Sequence, residues 1–325
     1  MNLRVGVVLV VTALCLGWVL KGLDYDAFVV SMTTFDWTAM VGAQLLYVTA
    51  HLMRAERFRV LLPVPMSRRT TLSVLSVGYL ALHVMPLRVG ELVRPYLARE
   101  RAGVPFGASL AVVVMERILD VAMLLVMMFL VAWFVELPAE IVVQDVNLLA
   151  VGQRTAGVVV FLGVLGLLAV GFAGEGVLRL ADRTPFGGLV RRFRDAILGL
   201  RQRPAAGATA LALSVAIWAV TIFAVKLQLA ASPGLPSSLG AALTTWTATL
   251  AGMAALPTPG FFGGYEAACA AALELLGAGP SDARSFGILL HLGQFGFTIG
   301  VGTAFLLAEG LSLREVVAKS QEEAS

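Results

Sequence analysis

Charged side chains stand in three places along this sequence where their neighbours are apolar, and their spacing is the first pointer to chemistry. The stretch from Leu82 to Pro95 carries Arg88, Glu91 and Arg94 around Pro86 and Gly90. Between Met115 and Asp120, Glu116, Arg117 and Asp120 interrupt a long apolar run. From Leu256 onward, Pro257, Pro259, Gly260, Gly263 and Gly264 lead up to a lone acid, Glu266. A charge inside a bilayer is expensive, so such groups face a bundle interior or a wet cavity and mark substrate or ion pathways. Arginine adds a planar fork that matches phosphate and carboxylate. Arg88 and Arg94 are therefore candidate phosphate ligands, with Arg88 nearest the break and lacking an obvious local partner. On a helix, Glu116 and Asp120 are one turn apart and Arg117 reaches Asp120 at i,i+3. This trio is expected to pair with Glu91 and Arg94. The alternative is an ion-pair network that only holds its segment in place. Glu266 is either a helix cap or a group that binds a substrate cation or carries a proton. His291 and Gln294 share one helix face, as a proton relay or as satisfied core residues.

The residues after each break read as short helices that begin near mid-membrane. A helix N-terminus presents free N–H groups and a partial positive charge. Two such starts meeting from opposite faces make an anion site of the kind transporters use. Gly90, Gly260, Gly263 and Gly264 let a head group approach the backbone, beside the helix-breaking Pro259. The expected substrate-binding set is thus Arg88, Gly90, Glu91, Arg94, Glu116, Arg117, Asp120, Pro259, Gly260, Gly263, Gly264 and Glu266, with His291 and Gln294 as candidate relay groups.

Composition says what must position these groups. The chain has 325 residues, 58% hydrophobic and 14% charged, with a mean hydropathy of +0.87. Soluble domains carry about 25% charged residues. Long continuous apolar stretches point to a helical membrane protein rather than a barrel. The net charge of +3 rests on arginine, the lysines being Lys21, Lys226 and Lys319. That excess is too small to argue for nucleic acid and fits cytoplasmic loops held against anionic inner-leaflet lipid. Cys15 and Cys269 lie in apolar segments, so neither a disulfide nor a metal site is expected. No Walker-type loop, His-Glu-x-x-His pair or Gly-x-Ser-x-Gly elbow occurs, and no cofactor is expected. Met1–Leu20 reads as a retained first helix rather than a cleaved signal.

Spans are expected at 5–22, 38–56, 70–85, 107–135, 150–172, 207–231, 238–256 and 284–309, with short segments at 88–101 and 263–277. Arg54, Arg57, Arg59, Arg68 and Arg69 cluster around the connection after the second span, and Arg179 to Arg203 fill the central one. The positive-inside rule then places these connections and both termini in the cytoplasm, with the chain in the cytoplasmic membrane. On that reading His51, Arg54 and Glu56 are interfacial. Counting crossings makes 70–101 a re-entrant hairpin entered from inside and 238–277 one entered from outside. The expected fold is an all-α polytopic membrane helix bundle with two inverted-repeat re-entrant helical hairpins. Residues 1–318 form one transmembrane domain. Segment 174–204 is an amphipathic inner-leaflet helix or a plain cytoplasmic connector. Residues 319–325 are a disordered polar tail.

The runs Pro86-x-Arg-x-Gly-Glu-x-x-Arg94, Glu116-Arg-x-x-Asp120 and Pro257-Thr-Pro-Gly-x-x-Gly-Gly-x-Glu266 together resemble the lysylphosphatidylglycerol synthase transmembrane-region family, also called flippase-like. The resemblance spans about residues 5 to 310. In the best-known members this bundle is fused to a soluble aminoacyl-transferase domain and moves the aminoacylated lipid across the membrane. This sequence ends at Ser325 without such a domain, so lipid aminoacylation is not implied. Stand-alone members resemble lipid or glycolipid translocators. The resemblance implies a lipid substrate without naming it.

The leading expectation is a non-enzymatic flippase or scramblase for an anionic or phosphate-linked polar lipid, a phospholipid or a polyprenyl-linked glycolipid. Two alternatives stand beside it. One is a polyprenyl-phosphate-dependent transferase with Glu91, Glu116 or Asp120 as base or metal ligand. The other is a non-catalytic partner of a glycosyltransferase or lipid synthase. A lipid-modifying enzyme or a second copy of the chain is a candidate partner.

Overall fold

Caps, prolines and glycines set the helix boundaries, and the breaks between helices decide the architecture. The computed structural model describes residues 24–85, 90–136, 202–255 and 258–324, with isolated positions between 14 and 21 and between 142 and 198. The spans expected at 5–22 and 150–172, the 174–204 segment and Arg88 therefore fall largely or wholly outside the described residues.

The helices are α1 (Tyr25–Thr34), α2 (Trp37–Leu61), α3 (Arg68–Val84), α4 (Val93–Ala102), α5 (Phe106–Phe134), α6 (Pro204–Ala230), α7 (Leu239–Ala255), α8 (Gly264–Leu275), α9 (Pro280–Ala308) and α10 (Leu313–Ala324). The class is all-helical apart from a two-residue antiparallel pairing of Val142–Val143 with Val146–Asn147. Asp36 starts α2 by accepting from the N–H groups of Thr38 (2.9 Å) and Ala39 (3.3 Å). Ser67 does the same for α3 through Thr70 N–H at 3.1 Å. Pro204 and Pro280 open α6 and α9, where their missing N–H groups have no helical acceptor to lose. Gly103, at φ 65°, closes α4.

Length separates two kinds of helix. With 29 residues each, α5 and α9 run about 44 Å at 1.5 Å per residue, enough for a hydrocarbon core of about 30 Å. By length and composition α6 and α9 are each long and apolar enough to cross a membrane. In contrast, α4 has 10 residues and α8 has 12, about 15 and 18 Å, too short to cross. Each short helix turns back on the one before it. Gly90 lies against the backbone of Ala81 and Leu82, and Gly78 lies under the Arg94 side chain, so α4 runs antiparallel to α3. A Cβ at Gly90 would collide with backbone atoms, which is why glycine stands there. Gly252 of α7 likewise sits against Ala268 and the Gly264 carbonyl of α8. The first pair packs on α5 and the second on α5, α6 and α9, while α9 also packs on α3.

The buried apolar residues form two main clusters. One gathers α2 to α5 and α10 around Phe58, Leu75 and Leu97. The other gathers α6 to α9 around Trp218, Trp246, Tyr265 and Leu290. The residues between the first two expected spans form helix α1. One local expectation changes. The tail from 319, read as disordered, is the end of α10. Its apolar face buries Val316 and Val317, and Glu323 ion-pairs with Arg99 of α4. A short amphipathic face finding a partner overrides a polar composition.

Candidate functional site

At the first break, permanent charges converge from three helices. Arg57 of α2 is fully buried. Its Nε lies 3.4 Å from Glu116 Oε1, and one terminal nitrogen lies 2.9 Å from both Asp120 Oδ1 and Ser214 Oγ. Arg94 of α4 donates to Glu116 Oε2 at 2.6 Å, with its guanidinium over the rings of Phe58 and Tyr79 at 5.4 and 5.6 Å. Arg117 stands 3.5 Å from Asp120 Oδ2. Glu116, 1% exposed, is thus closed on both oxygens by arginine. The expected pairing of Arg94 with the Glu116–Asp120 helix is present. Glu91, half-buried, makes no ion pair among the described residues. Its expected place is taken by Arg57, which sequence reasoning put in a cytoplasmic loop. Three guanidiniums against two carboxylates leave the cluster with net positive charge.

The second break is built differently. Gly260 and Phe261 both have positive φ, 60° and 62°. Phe261 is the one non-glycine residue in that region among the described residues, a conformation that costs about 1–2 kcal/mol. Thr258 Oγ1 donates to the Phe262 carbonyl at 2.7 Å and closes the turn that Pro259 opens. Glu266 accepts from Gly263 N–H at 2.8 Å, so the chain's own carboxylate occupies the start of α8 where an anion site was expected. His291 of α9 bridges back to this turn. Its Nδ1 is 2.7 Å from Glu266 Oε1, and its Nε2 donates to the Gly260 carbonyl at 2.9 Å. The Tyr265 ring stacks on the imidazole at 4.4 Å.

A cavity of about 160 Å³ lies between the two breaks. Tyr47, His51 and Arg54 of α2, Tyr79 and His83 of α3, and Arg117 and Asp120 of α5 line one side. Trp218, Trp246, Phe261, Tyr265, His291, Gln294 and Phe295 line the other. His83 and Phe261 touch edge to face at 5.4 Å, which joins the two breaks. Arg54 carries no ion pair among the described residues and lies 5.9 Å from the Tyr47 ring. The buried Arg117 Nε has no hydrogen-bond partner among them. A polar cavity with guanidinium donors left over and aromatic walls can take a phosphate or carboxylate head group.

Of the expected set, Arg117, Asp120, His291 and Gln294 line this cavity. Gln294 accepts from the Tyr47 hydroxyl at 3.1 Å. Arg94, Glu116 and Glu266 stand behind it, and Gly90, Gly260, Gly263 and Gly264 are buried turn or helix-start backbone. Arg88 is outside the described residues. His51, read as interfacial, is 7% exposed and bonded to Ser76 Oγ at 2.9 Å. Arg54, Arg57, His51 and Tyr79 are the site residues the sequence hid. The available signal was weak: Arg54 follows His51, and Arg57 follows Arg54, at i,i+3, so each is a neighbour of the next along α2.

Long apolar helices, two short fold-backs and a buried charge cluster define a polytopic helical membrane protein with a polar centre. The chain belongs to the family described as lysylphosphatidylglycerol synthase TM region, whose model matches residues 4–302. No curated protein and no solved structure matches it.

Proposed function

We propose that this protein moves an anionic or phosphate-linked polar lipid between membrane leaflets, with the head group in the cavity between the two breaks and the acyl chains left in the bilayer. The observation that carries this reading is the unpaired donor capacity at one spot. Arg54 and Arg117 face a cavity beside a cluster of net positive charge. A phosphate there completes the charge balance. The aromatic walls suit an amphipathic ligand. On this reading both fold-backs are re-entrant and entered from opposite faces, as the arginine distribution suggests, and the cavity lies where they meet. Membership in a family flippase-like by resemblance agrees with it.

On this reading Arg54 and Arg117 hold the phosphate while Arg94 is engaged with Glu116, and Arg88, outside the described residues, stays a candidate ligand. Arg94, Glu116 and Arg57 act as positioning residues that hold α4 and α5 in register. The transferase alternative is weakened by the same geometry: both oxygens of Glu116 and both of Asp120 face arginine, which leaves neither carboxylate free to approach a substrate.

The test is reconstitution of the full chain into vesicles with fluorescently tailed phosphatidylglycerol, phosphatidylcholine or a polyprenyl phosphate. Surface quenching then reports leaflet exchange. Faster exchange of an anionic lipid than in empty vesicles, lost in Arg117→Gln, supports the proposal. Equal exchange with and without protein for all three lipids rejects it.

A further inference from the structure

The hydrogen-bond inventory at the second break shows what His291 and Glu266 must hold between them. Gly260 offers only a carbonyl oxygen, so His291 Nε2 has to donate across their 2.9 Å separation. Its other nitrogen stands 2.7 Å from Glu266 Oε1, a distance that requires a hydrogen between the two atoms. Glu266 Oε2 already accepts from Gly263 N–H. All three bonds exist together only when the pair holds one proton in addition to the one on Nε2, whichever of Nδ1 and Oε1 carries it. Without that proton a lone pair faces a carboxylate. A net negative charge is then left where Glu266 is 4% and His291 3% exposed. Either the imidazole turns or the Gly260 bond breaks. In both cases the Gly260–Phe261 turn, held at positive φ, loses its tie to α9.

We propose that the Glu266–His291 pair is a proton-binding site that latches the second break, and that the protein moves a proton together with its lipid. The inference rests on the lipid-moving reading above. His291 and Phe261 both line the central cavity, so the proton can leave to water reached through it, and the freed turn changes the cavity wall. The ionisable groups around the pair are few. Tyr265 and Cys269 share α8, His83 comes from α3 and Tyr47 from α2, while α7 carries none. The full charges on the cavity are Arg54, Arg117 and Asp120. A head group bound at the two arginines adds negative charge to the cavity and favours the protonated pair. By reciprocity the proton favours the lipid.

The experiment uses the full chain in phosphatidylcholine vesicles containing fluorescent phosphatidylglycerol, with a trapped pH dye and an imposed pH difference. One proton per lipid predicts that each unit of pH difference shifts the steady-state leaflet ratio of labelled lipid about tenfold. It also predicts a dye signal that needs the lipid. Glu266→Gln mimics the protonated acid, because its amide donates to Nδ1 and its carbonyl accepts from Gly263 N–H. It is expected to fold and to lose together the response of the leaflet ratio to the gradient and the dye signal, whatever its rate of exchange. His291→Gln serves the same arm should that variant not purify folded, and the wild-type arm needs no variant. Wild-type lipid that equalises between leaflets whatever the gradient overturns the proton inference and leaves the lipid reading standing. Vesicles in which neither labelled phosphatidylglycerol nor a labelled polyprenyl phosphate moves overturn both.

Discussion

At the first break Arg57 and Arg94 close on Glu116 with permanent charges, whereas at the second Glu266 meets a single histidine. The two fold-backs share a plan: a 17-residue helix, an interruption, a glycine against the preceding helix or its turn, and a short return helix. They differ in what holds the return helix down. Arginine keeps its charge under all ordinary conditions, so the first network is a fixed frame, neutral or nearly so only when an anion joins it. Under the proton proposal above the second hold is adjustable, because imidazole is the side chain whose charge changes nearest neutral pH. The positive-φ phenylalanine, the one such non-glycine residue among the described residues, is at the second break.

The comparison breaks most visibly if Arg57 is removed. Arg57→Met leaves Glu116 and Asp120 each short of a buried partner, and the expected loss is about 3–5 kcal/mol, read as a large fall in unfolding temperature in detergent. The matched pair of neutralised acids sharpens it next. Glu116→Gln strands Arg57 and Arg94 and is expected to cost about 3 kcal/mol, while Glu266→Gln keeps every bond and costs under about 1 kcal/mol. Equal losses in the two variants would remove the distinction between frame and latch. Glycine substitutions come third. Gly90→Ala meets the backbone of α3 and Gly252→Ala meets the Ala268 Cβ and the Gly264 carbonyl of α8; none of these atoms can give, and each substitution should cost about 1–3 kcal/mol. The smallest change in stability is expected for Arg117→Gln, whose guanidinium has only the loose 3.5 Å pairing to Asp120, yet this variant should lose most of the lipid exchange.

Helix positions were readable in the sequence because apolar length and proline breaks carry them: 207–231 became Pro204–Ala230 and 107–135 became Phe106–Phe134. The Arg94–Glu116 bond was foreseeable because two buried opposite charges must find each other. Arg57 was not. Four neighbouring arginines made it look like part of a cytoplasmic cluster, and a charge count along the chain does not say which face of α2 each one takes. Glu266 and His291 were both visible as candidates, yet nothing in their spacing joined them, since the contact is made by two helices meeting at a turn. The terminal helix α10 was hidden for a similar reason: its apolar face is short, and its partner α4 lies far back in the chain.

The claim on which the account turns is that the cavity between the breaks holds a lipid head group. Its most direct measurement is cryo-electron microscopy of the full chain in nanodiscs rich in phosphatidylglycerol. The account predicts head-group density inside the cavity within hydrogen-bonding distance of Arg117, with acyl chains leading out to the bilayer. Well-resolved lipids confined to the outer perimeter, beside a cavity closed to them, would contradict it.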